Sequence, residues 1–135
     1  MVNKKILIID DEKMNIMALA HILKPEYDIV VSTESLTALE TAEKHLPDII
    51  LLDVIMPELN GYDVLEKLKK NEITKNIPVI FTTGLSSEED EEKGLAMGAA
   101  DYIYKPYKKA IAKARIAAHI KLHECIRKIE TYEKQ

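Results

Sequence analysis

Carboxylate side chains follow two short apolar runs of the sequence, and they are the residues best suited to chemistry. Asp10 and Asp11 come directly after residues 6–9, and Asp53 comes directly after residues 49–52. Two carboxylates about 4 Å apart repel each other by roughly 4 kcal/mol at an effective dielectric constant of about 20, so converging carboxylates need a cation or a proton. Oxygen ligands with no His or Cys nearby select a hard ion, and so few carboxylates favour Mg²⁺ over Ca²⁺.

Two further polar residues stand at the ends of later apolar runs. Thr83 closes the segment that begins with residues 79–81, and Lys105 follows residues 102–104. Taken singly, each has an ordinary explanation, a satisfied hydroxyl for Thr83 and a solvated charge for Lys105. Polar residues nevertheless recur at the ends of four runs, and this recurrence favours one shared site over four unrelated surface positions.

Strand and helix patterns alternate along the chain and define the elements that must position these residues. Short aliphatic runs are typical of parallel strands covered on both faces, and the last run alternates as an edge strand does. The strands are predicted at residues 6–9, 27–31, 49–52, 79–81 and 102–104. Successive βα units with right-handed crossovers give a doubly wound α/β domain with a five-stranded parallel sheet. The flavodoxin-like order 2-1-3-4-5 suits the short second and fifth strands, which become edges, and makes strands 1 and 3 neighbours at the switch point.

Apolar residues at helical spacing fill the segments between the strands. The first three stripes are Ile16, Leu19, Ala20 and Leu23; Leu36, Leu39, Ala42 and Leu46; and Val64, Leu65 and Leu68. A fourth helix, predicted at residues 87–97 with Ser87 as its cap, has acidic residues in its first turn and few apolar ones, so we expect it to be weakly held. No Pro or Gly interrupts residues 107–135, which predicts an extended C-terminal helix of up to about 40 Å.

Length and composition limit the class of protein. A chain of 135 residues suits one domain, and its 47% hydrophobic and 31% charged residues exclude a disordered chain. No apolar run approaches the roughly 20 residues of a membrane helix, and no secretory leader is evident, so we expect a cytoplasmic protein without membrane contact. Cys125 is the single cysteine and forms neither an internal disulfide nor a zinc site.

The charge is divided unevenly along the chain. Residues 1–106 carry 11 basic and 20 acidic residues, whereas residues 107–135 carry 8 basic and 3 acidic ones. A basic tail could contact nucleic acid, but a helix with a solvated Lys and Arg face produces the same counts more often. We therefore expect no nucleic-acid binding by this segment.

Four motifs of this sequence occur in order and carry a family resemblance. They are ILIIDDE at residues 6–12, PDIILLDVIMP at residues 47–57 with Asn60-Gly61 behind it, PVIFTTG at residues 78–84, and GAADYIYKP at residues 98–106. Together they resemble the receiver domain of bacterial two-component response regulators over residues 4–122. We accordingly predict a receiver domain at residues 1–122, and an extension of the last helix or a linker at residues 123–135.

The resemblance implies a phosphorylation site and its metal. Asp53 would accept a phosphoryl group through attack of its carboxylate on a phosphohistidine. Asp10, Asp11 and Asp53 would hold Mg²⁺ together with the backbone carbonyl of Ile55, and Mg²⁺ is the one cofactor implied.

The resemblance also implies roles for the residues at the last two strand ends. Thr83 and Lys105 would bind phosphoryl oxygens, and Thr83 and Tyr102 would act as the switch residues. The Lys105-Pro106 bond is expected to be cis. The output face would consist of helix 4, strand 5 and helix 5, with phosphorylation moving Thr83 toward the phosphoryl group and drawing Tyr102 inward.

By the same resemblance, the phosphoryl group would come from a sensor histidine kinase or a phosphotransfer protein. The chain would catalyse only its own phosphorylation and dephosphorylation. We expect the module of a longer regulator with an output domain after Gln135, and the alternative is a complete single-domain regulator that acts by docking. A Mg²⁺-dependent aspartyl-phosphate phosphatase is a remote alternative, because the first strand of those enzymes ends in Asp-x-Asp whereas Asp10 and Asp11 are adjacent.

Two further expectations concern assembly and the lifetime of the phosphorylated form. A seam of Ala118, Leu122, Cys125, Ile129 and Tyr132 repeats at spacings of four and three, which favours a weak parallel homodimer through the C-terminal helix. By the same resemblance, the water that hydrolyses the aspartyl phosphate would approach past the side chains two residues after Asp53 and two after Thr83, which here are Ile55 and Leu85. Apolar side chains neither orient a water molecule nor accept its proton, so we expect a long-lived phosphorylated form.

Overall fold

A five-stranded parallel sheet forms the centre of the protein, in a computed structural model that describes residues 3–84 and 88–133. The strands are Lys5–Ile9 (β1), Asp28–Ser32 (β2), Ile49–Asp53 (β3), Val79–Thr83 (β4) and Asp101–Tyr104 (β5). Their order is β2-β1-β3-β4-β5, with every neighbouring pair parallel. The predicted flavodoxin-like order is confirmed, and it places the carboxyl ends of β1 and β3 side by side.

Five helices cover the two faces of the sheet, as the doubly wound fold requires. They are Lys13–Leu23 (α1), Ala38–His45 (α2), Gly61–Lys70 (α3), Glu88–Ala96 (α4) and Lys109–Glu133 (α5), with a 3₁₀ turn at Ser35–Thr37 before α2. Helices α1 and α5 pack on one face and α2 and α3 on the other. In the described part of the chain, no helix has the length and apolar content needed to cross a membrane.

Two apolar layers, one on each face, hold the sheet in place. Side chains alternate along each strand, so β1 sends Ile6 and Ile8 to one layer and Leu7 and Ile9 to the other. All four are at most 1% exposed. Burial on both faces explains why the strands are continuous aliphatic runs, and it makes the sheet a rigid support for residues at its carboxyl edge.

The apolar stripe predicted for the second helix is wrong at both ends. Its middle residues are correct, because Ala42 is buried and Leu39 packs against the core, but Leu36 and Leu46 are 63% and 59% exposed. Ala38, which the stripe did not include, is buried as well. Leu36 lies in the 3₁₀ turn that precedes the helix, so it does not follow the helical periodicity of the rest. Leu46 ends the helix in a left-handed conformation with φ of 46°, which turns the chain away before Pro47.

The last two helices differ in how firmly they are attached. Within the described residues, α4 contributes little to the apolar layers, and its Leu95 is 48% exposed; the predicted cap Ser87 lies outside those residues. Helix α5 begins at Lys109, two residues beyond Tyr107, and runs for 25 residues, or about 37 Å. Its buried residues stop at Ile120, so the second half of the helix extends past the core. The Lys105-Pro106 bond that precedes it is cis.

Candidate functional site

The predicted acidic residues meet at the carboxyl edge of the sheet. Asp53 is the last residue of β3, and Asp10 follows the end of β1, the neighbouring strand. Oxygen atoms of Asp10, Asp11 and Asp53 all lie within 4.8 Å of one another. Asp10 and Asp53 are 0% and 3% exposed, whereas Asp11 faces solvent. The cluster is therefore open on the Asp11 side and closed toward the core.

The turn after β1 holds the Asp10 carboxylate in one orientation. The backbone N–H of Asp10 donates to the carbonyl of Ser32 at 3.1 Å, and its Oδ1 accepts the N–H of Glu12 at 2.9 Å. Its Oδ2 atom is buried and has no hydrogen-bond partner among the described residues. An unsatisfied buried carboxylate oxygen is costly, so this atom calls for a ligand such as a cation.

Lys105 supplies the positive charge that faces the cluster. Its Nζ atom donates to Asp53 Oδ1 at 3.0 Å and lies 3.7 Å from Asp10 Oδ2. The backbone N–H of Lys105 donates to the carbonyl of Thr83 at 2.8 Å, which ties the ends of β4 and β5 together. One ammonium facing three carboxylates leaves the cluster negatively charged, as a site for a divalent cation would be.

The proton affinity of Asp53 reflects this crowding. Burial of its carboxyl raises the pKa to about 6, and the charge of Asp10 adds to the rise. The hydrogen bond and the charge of Lys105 lower the pKa and only partly offset these effects. The site therefore holds the Asp53 charge at a free-energy cost, which a bound cation would relieve.

The Asn60-Gly61 pair contacts the backbone of Asp53 and Val54, a role that the sequence alone did not show. The N–H of Gly61 donates to the carbonyl of Val54 at 2.7 Å, and a Cβ added to Gly61 would overlap the Asp53 carbonyl and lie 2.8 Å from Val54 Cα. Asn60 and Asp63 form a capping box at the start of α3. Helix α3 thus presses directly on the backbone of Asp53, and any residue larger than Gly would displace it.

Thr83 ends β4 beside the cluster and is 2% exposed. Tyr107 is a further residue at this site to which no role was assigned from the sequence. Burial raises the pKa of its hydroxyl, and the nearby charges of Asp10 and Asp53 add to the rise. The only sequence signal for it was its position directly after Pro106.

Tyr102 is buried in this structure, with 3% of its surface exposed. Its hydroxyl donates to the carbonyl of Asp90 in α4 at 2.7 Å, and its ring packs against Phe81 with centroids 5.5 Å apart. Gly94 of α4 provides the space, because a Cβ there would overlap the Tyr102 hydroxyl and lie 3.0 Å from Phe81. The inward position of Tyr102 is therefore the one that α4 accommodates here.

Ile55 lies two residues beyond Asp53 and is 63% exposed. Its partner in the predicted apolar pair, Leu85, lies outside the described residues. The structure thus brings together Asp10, Asp11, Asp53 and Lys105. Thr83 ends the neighbouring strand β4, and Tyr102 lies on β5, two strands from Asp53.

Proteins with known roles are similar to this chain. A probable cyclic di-GMP phosphodiesterase of Vibrio cholerae is 41% identical over 115 residues, which cover 85% of this chain and 26% of the relative. The Bacillus subtilis alkaline phosphatase synthesis transcriptional regulatory protein PhoP is 35% identical over 123 residues, covering 90% and 50% of the two chains. The chain therefore spans between about a quarter and a half of the length of these curated relatives.

A solved structure and a family model complete the comparison. The receiver domain of the sensor histidine kinase PA1611 of Pseudomonas aeruginosa has a TM-score of 0.81 at 26% identity, over 89% of this chain and 99% of that one, and it is described with a magnesium ion coordinated in its active-site cleft. Receiver domains interact with histidine kinases and phosphotransfer proteins in two-component signalling. The model of the response regulator receiver domain matches residues 6–117, and the chain belongs to this family.

Proposed function

We propose that Asp53 of this receiver domain accepts a phosphoryl group from a phosphohistidine of a sensor histidine kinase or a phosphotransfer protein. An Asp53 carboxylate oxygen attacks phosphorus in line, and the bond from phosphorus to the histidine nitrogen breaks as the nitrogen keeps the electron pair and takes up a proton. The products are an aspartyl phosphate and a neutral histidine. Attack by water on the same phosphorus later returns Asp53 and inorganic phosphate.

The residues of the cluster fit Mg²⁺. Asp10, Asp11 and Asp53 offer three carboxylates, and the backbone carbonyl of Ile55 is proposed as the fourth protein ligand. The buried Oδ2 of Asp10 accepts no hydrogen bond from the described residues and has only a long ion pair with Lys105, at 3.7 Å. Mg²⁺ neutralises charge on the phosphoryl oxygens when it is bound.

The other residues at this edge position the transferred group. Lys105 Nζ, 3.0 Å from Asp53 Oδ1, lies where it can donate to an oxygen of a phosphoryl group on Asp53. Thr83, at the end of the next strand, is proposed to donate its hydroxyl to another of these oxygens. The low exposure of Asp53 excludes much of the surrounding water, which strengthens each of these interactions.

The observation that carries the proposal is the buried, unsatisfied Oδ2 of Asp10 beside Asp53 and Lys105. A surface turn or helix cap at Asp10 would leave both oxygens paired or solvated. A Mg²⁺-dependent phosphatase of the aspartyl-phosphate type is not favoured, because Asp10 and Asp11 are adjacent and only Asp10 is directed into the core.

Intact-mass measurement tests the proposal. The protein is incubated with Mg²⁺ and acetyl phosphate as a small acyl phosphate donor, and one phosphoryl adduct is expected. The adduct should be lost in EDTA and in Asp53→Ala, and it should persist in the control Asp28→Ala, which removes an exposed carboxylate at the start of β2. An adduct that survives Asp53→Ala would overturn the assignment.

We also infer that this receiver is the module of a longer cytoplasmic regulator. Relatives named as a phosphodiesterase and as a transcriptional regulator are both two to four times longer than the segment they share with it. The alternative is a single-domain regulator that acts by docking through α4, β5 and α5. The coding sequence beyond Gln135 distinguishes the two: an output domain is expected there, and a stop codon would establish the alternative.

A further inference from the structure

A polar cavity lies at the opposite edge of the sheet from Asp53. It has a volume of about 350 Å³ and is formed by the end of α3, the connection from α3 to β4, and the second half of α5. Ile77, in its wall, stands two residues before β4 begins, so the cavity lies at the amino edge of the sheet. This volume is near the lower limit of about 300–1,000 Å³ for small-molecule sites.

Basic side chains from three segments converge on this cavity. They are Lys69 of α3, Lys75 of the connection, and His123 and Arg127 of α5. The one acidic residue in the lining is Glu130, and Lys75 is in addition paired with Glu72 at 2.8 Å. The basic tail recognised in the sequence thus contributes to a specific cavity as well as to a solvated helix face.

Among these basic residues, Lys69 is the one best placed to bind an anion. Its side chain is half-buried, and burial lowers the pKa of its ammonium group. Its stem packs over Gly98, where an added Cβ would lie 3.2 Å from Lys69 Cε, and its Nζ donates to the carbonyl of Lys75 at 3.4 Å. No carboxylate within the described ranges pairs with it at 4.0 Å or less, so its desolvated charge is not compensated by an anion of the protein.

His123 shows that the cations act on one another. Burial lowers the pKa of its imidazole, the charges of Arg127 and Lys69 lower it further, and the carboxylates of Glu130 and Asp48 oppose the shift. The cavity therefore carries excess positive charge, as the edge at Asp53 carries excess negative charge. An anion here would relieve the repulsion, as a cation would at the other edge.

The rest of the lining limits the kind of anion. Ile73, Ile77 and Ile126 supply an apolar surface between the basic groups. A phosphoryl group has the charge and the oxygens to be shared by Lys69 and Arg127, and an ester substituent of low polarity would lie against the isoleucines. An acidic polypeptide would fit less well, because the carboxylate of Glu130 also lines the cavity.

We propose that this cavity between α3 and α5 binds a small phosphomonoester, with Lys69 and Arg127 holding the phosphoryl group and Ile73, Ile77 and Ile126 contacting the apolar substituent. This site is separate from the phosphorylation site and does not depend on it. Bound ligand would join the second half of α5 to the domain through α3.

Titration of the full chain with phenyl phosphate and with inorganic phosphate, followed by backbone amide and His123 imidazole NMR signals, tests the proposal. EDTA is present throughout so that no metal serves the Asp53 site, and sodium chloride at the same ionic strength is the control. Saturable shifts at Lys69, His123 and Arg127 are expected, tighter for phenyl phosphate than for phosphate, and the pKa of His123 should rise because the anion favours the imidazolium.

Matched variants separate a specific site from general charge attraction. Lys69→Met and Arg127→Gln should each weaken phenyl phosphate binding about tenfold or more, as loss of a charge-assisted hydrogen bond predicts. Lys128→Gln removes the same charge from the neighbouring position of α5, outside this cavity, and should change the affinity less than about twofold. Equal losses in all three variants, or shifts reproduced by sodium chloride, would overturn the proposal.

Discussion

Replacement of Asp53 by Asn should stabilise the metal-free protein, although it removes the proposed phosphoacceptor. The Asp53 side chain is 5% exposed, and its pKa rises from an ordinary value of 3.8 to about 6, first because of burial and then because of Asp10. Between these two pH values the folded protein binds more protons than the unfolded protein. Stability therefore falls as pH rises through this window, and the cost is fully present above it.

The size of the effect follows from the pKa shift. A rise from 3.8 to about 6 corresponds to a cost of about 3 kcal/mol at about pH 7.5 and of about 1 kcal/mol at about pH 4.5. An Asn side chain avoids this cost but makes a weaker hydrogen bond with Lys105 than a carboxylate does. We therefore expect Asp53→Asn to be more stable by about 2 kcal/mol at about pH 7.5, and by less than about 1 kcal/mol at about pH 4.5.

Urea denaturation in EDTA at the two pH values measures this difference. Asp28→Asn is the control, because it removes an exposed carboxylate outside the cluster and should change stability by less than about 0.5 kcal/mol. Mg²⁺ at about 100 times its dissociation constant should add about 2.7 kcal/mol to the native protein and much less to Asp53→Asn. The reasoning is refuted if Asp53→Asn is no more stable than the native protein at about pH 7.5, or if the gain is the same at both pH values.

Three further predictions concern α4, the apolar pair Ile55 and Leu85, and α5. Gly94→Ala should destabilise the protein by about 1–3 kcal/mol through displacement of the Tyr102 ring. In a Tyr102→Ala background the cost should be clearly smaller, because only the close approach to Phe81 remains and the helix propensity of Ala, worth about 1 kcal/mol, opposes it; a four-member denaturation cycle measures both values. Phosphorylated Asp53 should decay more slowly in the native protein than in Ile55→Asn with Leu85→Glu, measured with Mg²⁺ present and donor removed; equal decay would contradict a role for these apolar residues. The 135-residue chain should form a weak dimer by sedimentation, and its Ile129→Glu variant, changed on the exposed seam of α5, should be a monomer; two monomers would exclude the seam.

The positions of the acidic residues could be predicted because the strands are simple. Each strand is a short aliphatic run, and parallel strands connected by helices must all end at one edge. The polar residue that follows each run, such as Asp53 or Lys105, can therefore be assigned to this edge from its sequence position alone. The sheet order was predicted because the second and fifth runs are short and less apolar, as edge strands are, and these two strands are the edges of the sheet.

Helix contacts were harder to predict because local backbone turns override periodicity. Leu36 and Leu46 fit the helical spacing of α2, but a 3₁₀ turn and a left-handed cap place both of them in solvent. The close approaches of Gly61 to Asp53 and of Gly94 to Tyr102 were also out of reach. A glycine in a sequence is compatible with a close approach of other atoms, but only the tertiary structure shows whether atoms lie where its Cβ would be, and which atoms these are.

The contacts around β4 and β5 explain why α4 is the element suited to respond to a phosphoryl group at Asp53. Thr83 and Lys105, the two residues proposed to bind phosphoryl oxygens, are joined by a hydrogen bond of 2.8 Å between their backbones, so movement of one strand end is felt at the other. Tyr102 lies on β5, three residues before Lys105, and its hydroxyl is bonded to α4 at Asp90. Helix α4 buries few apolar side chains of its own, so the helix can move together with Tyr102 at a low cost in free energy. These contacts run from the phosphorylation site through β4 and β5 to α4, and the output face is therefore expected on the side of α4 and β5.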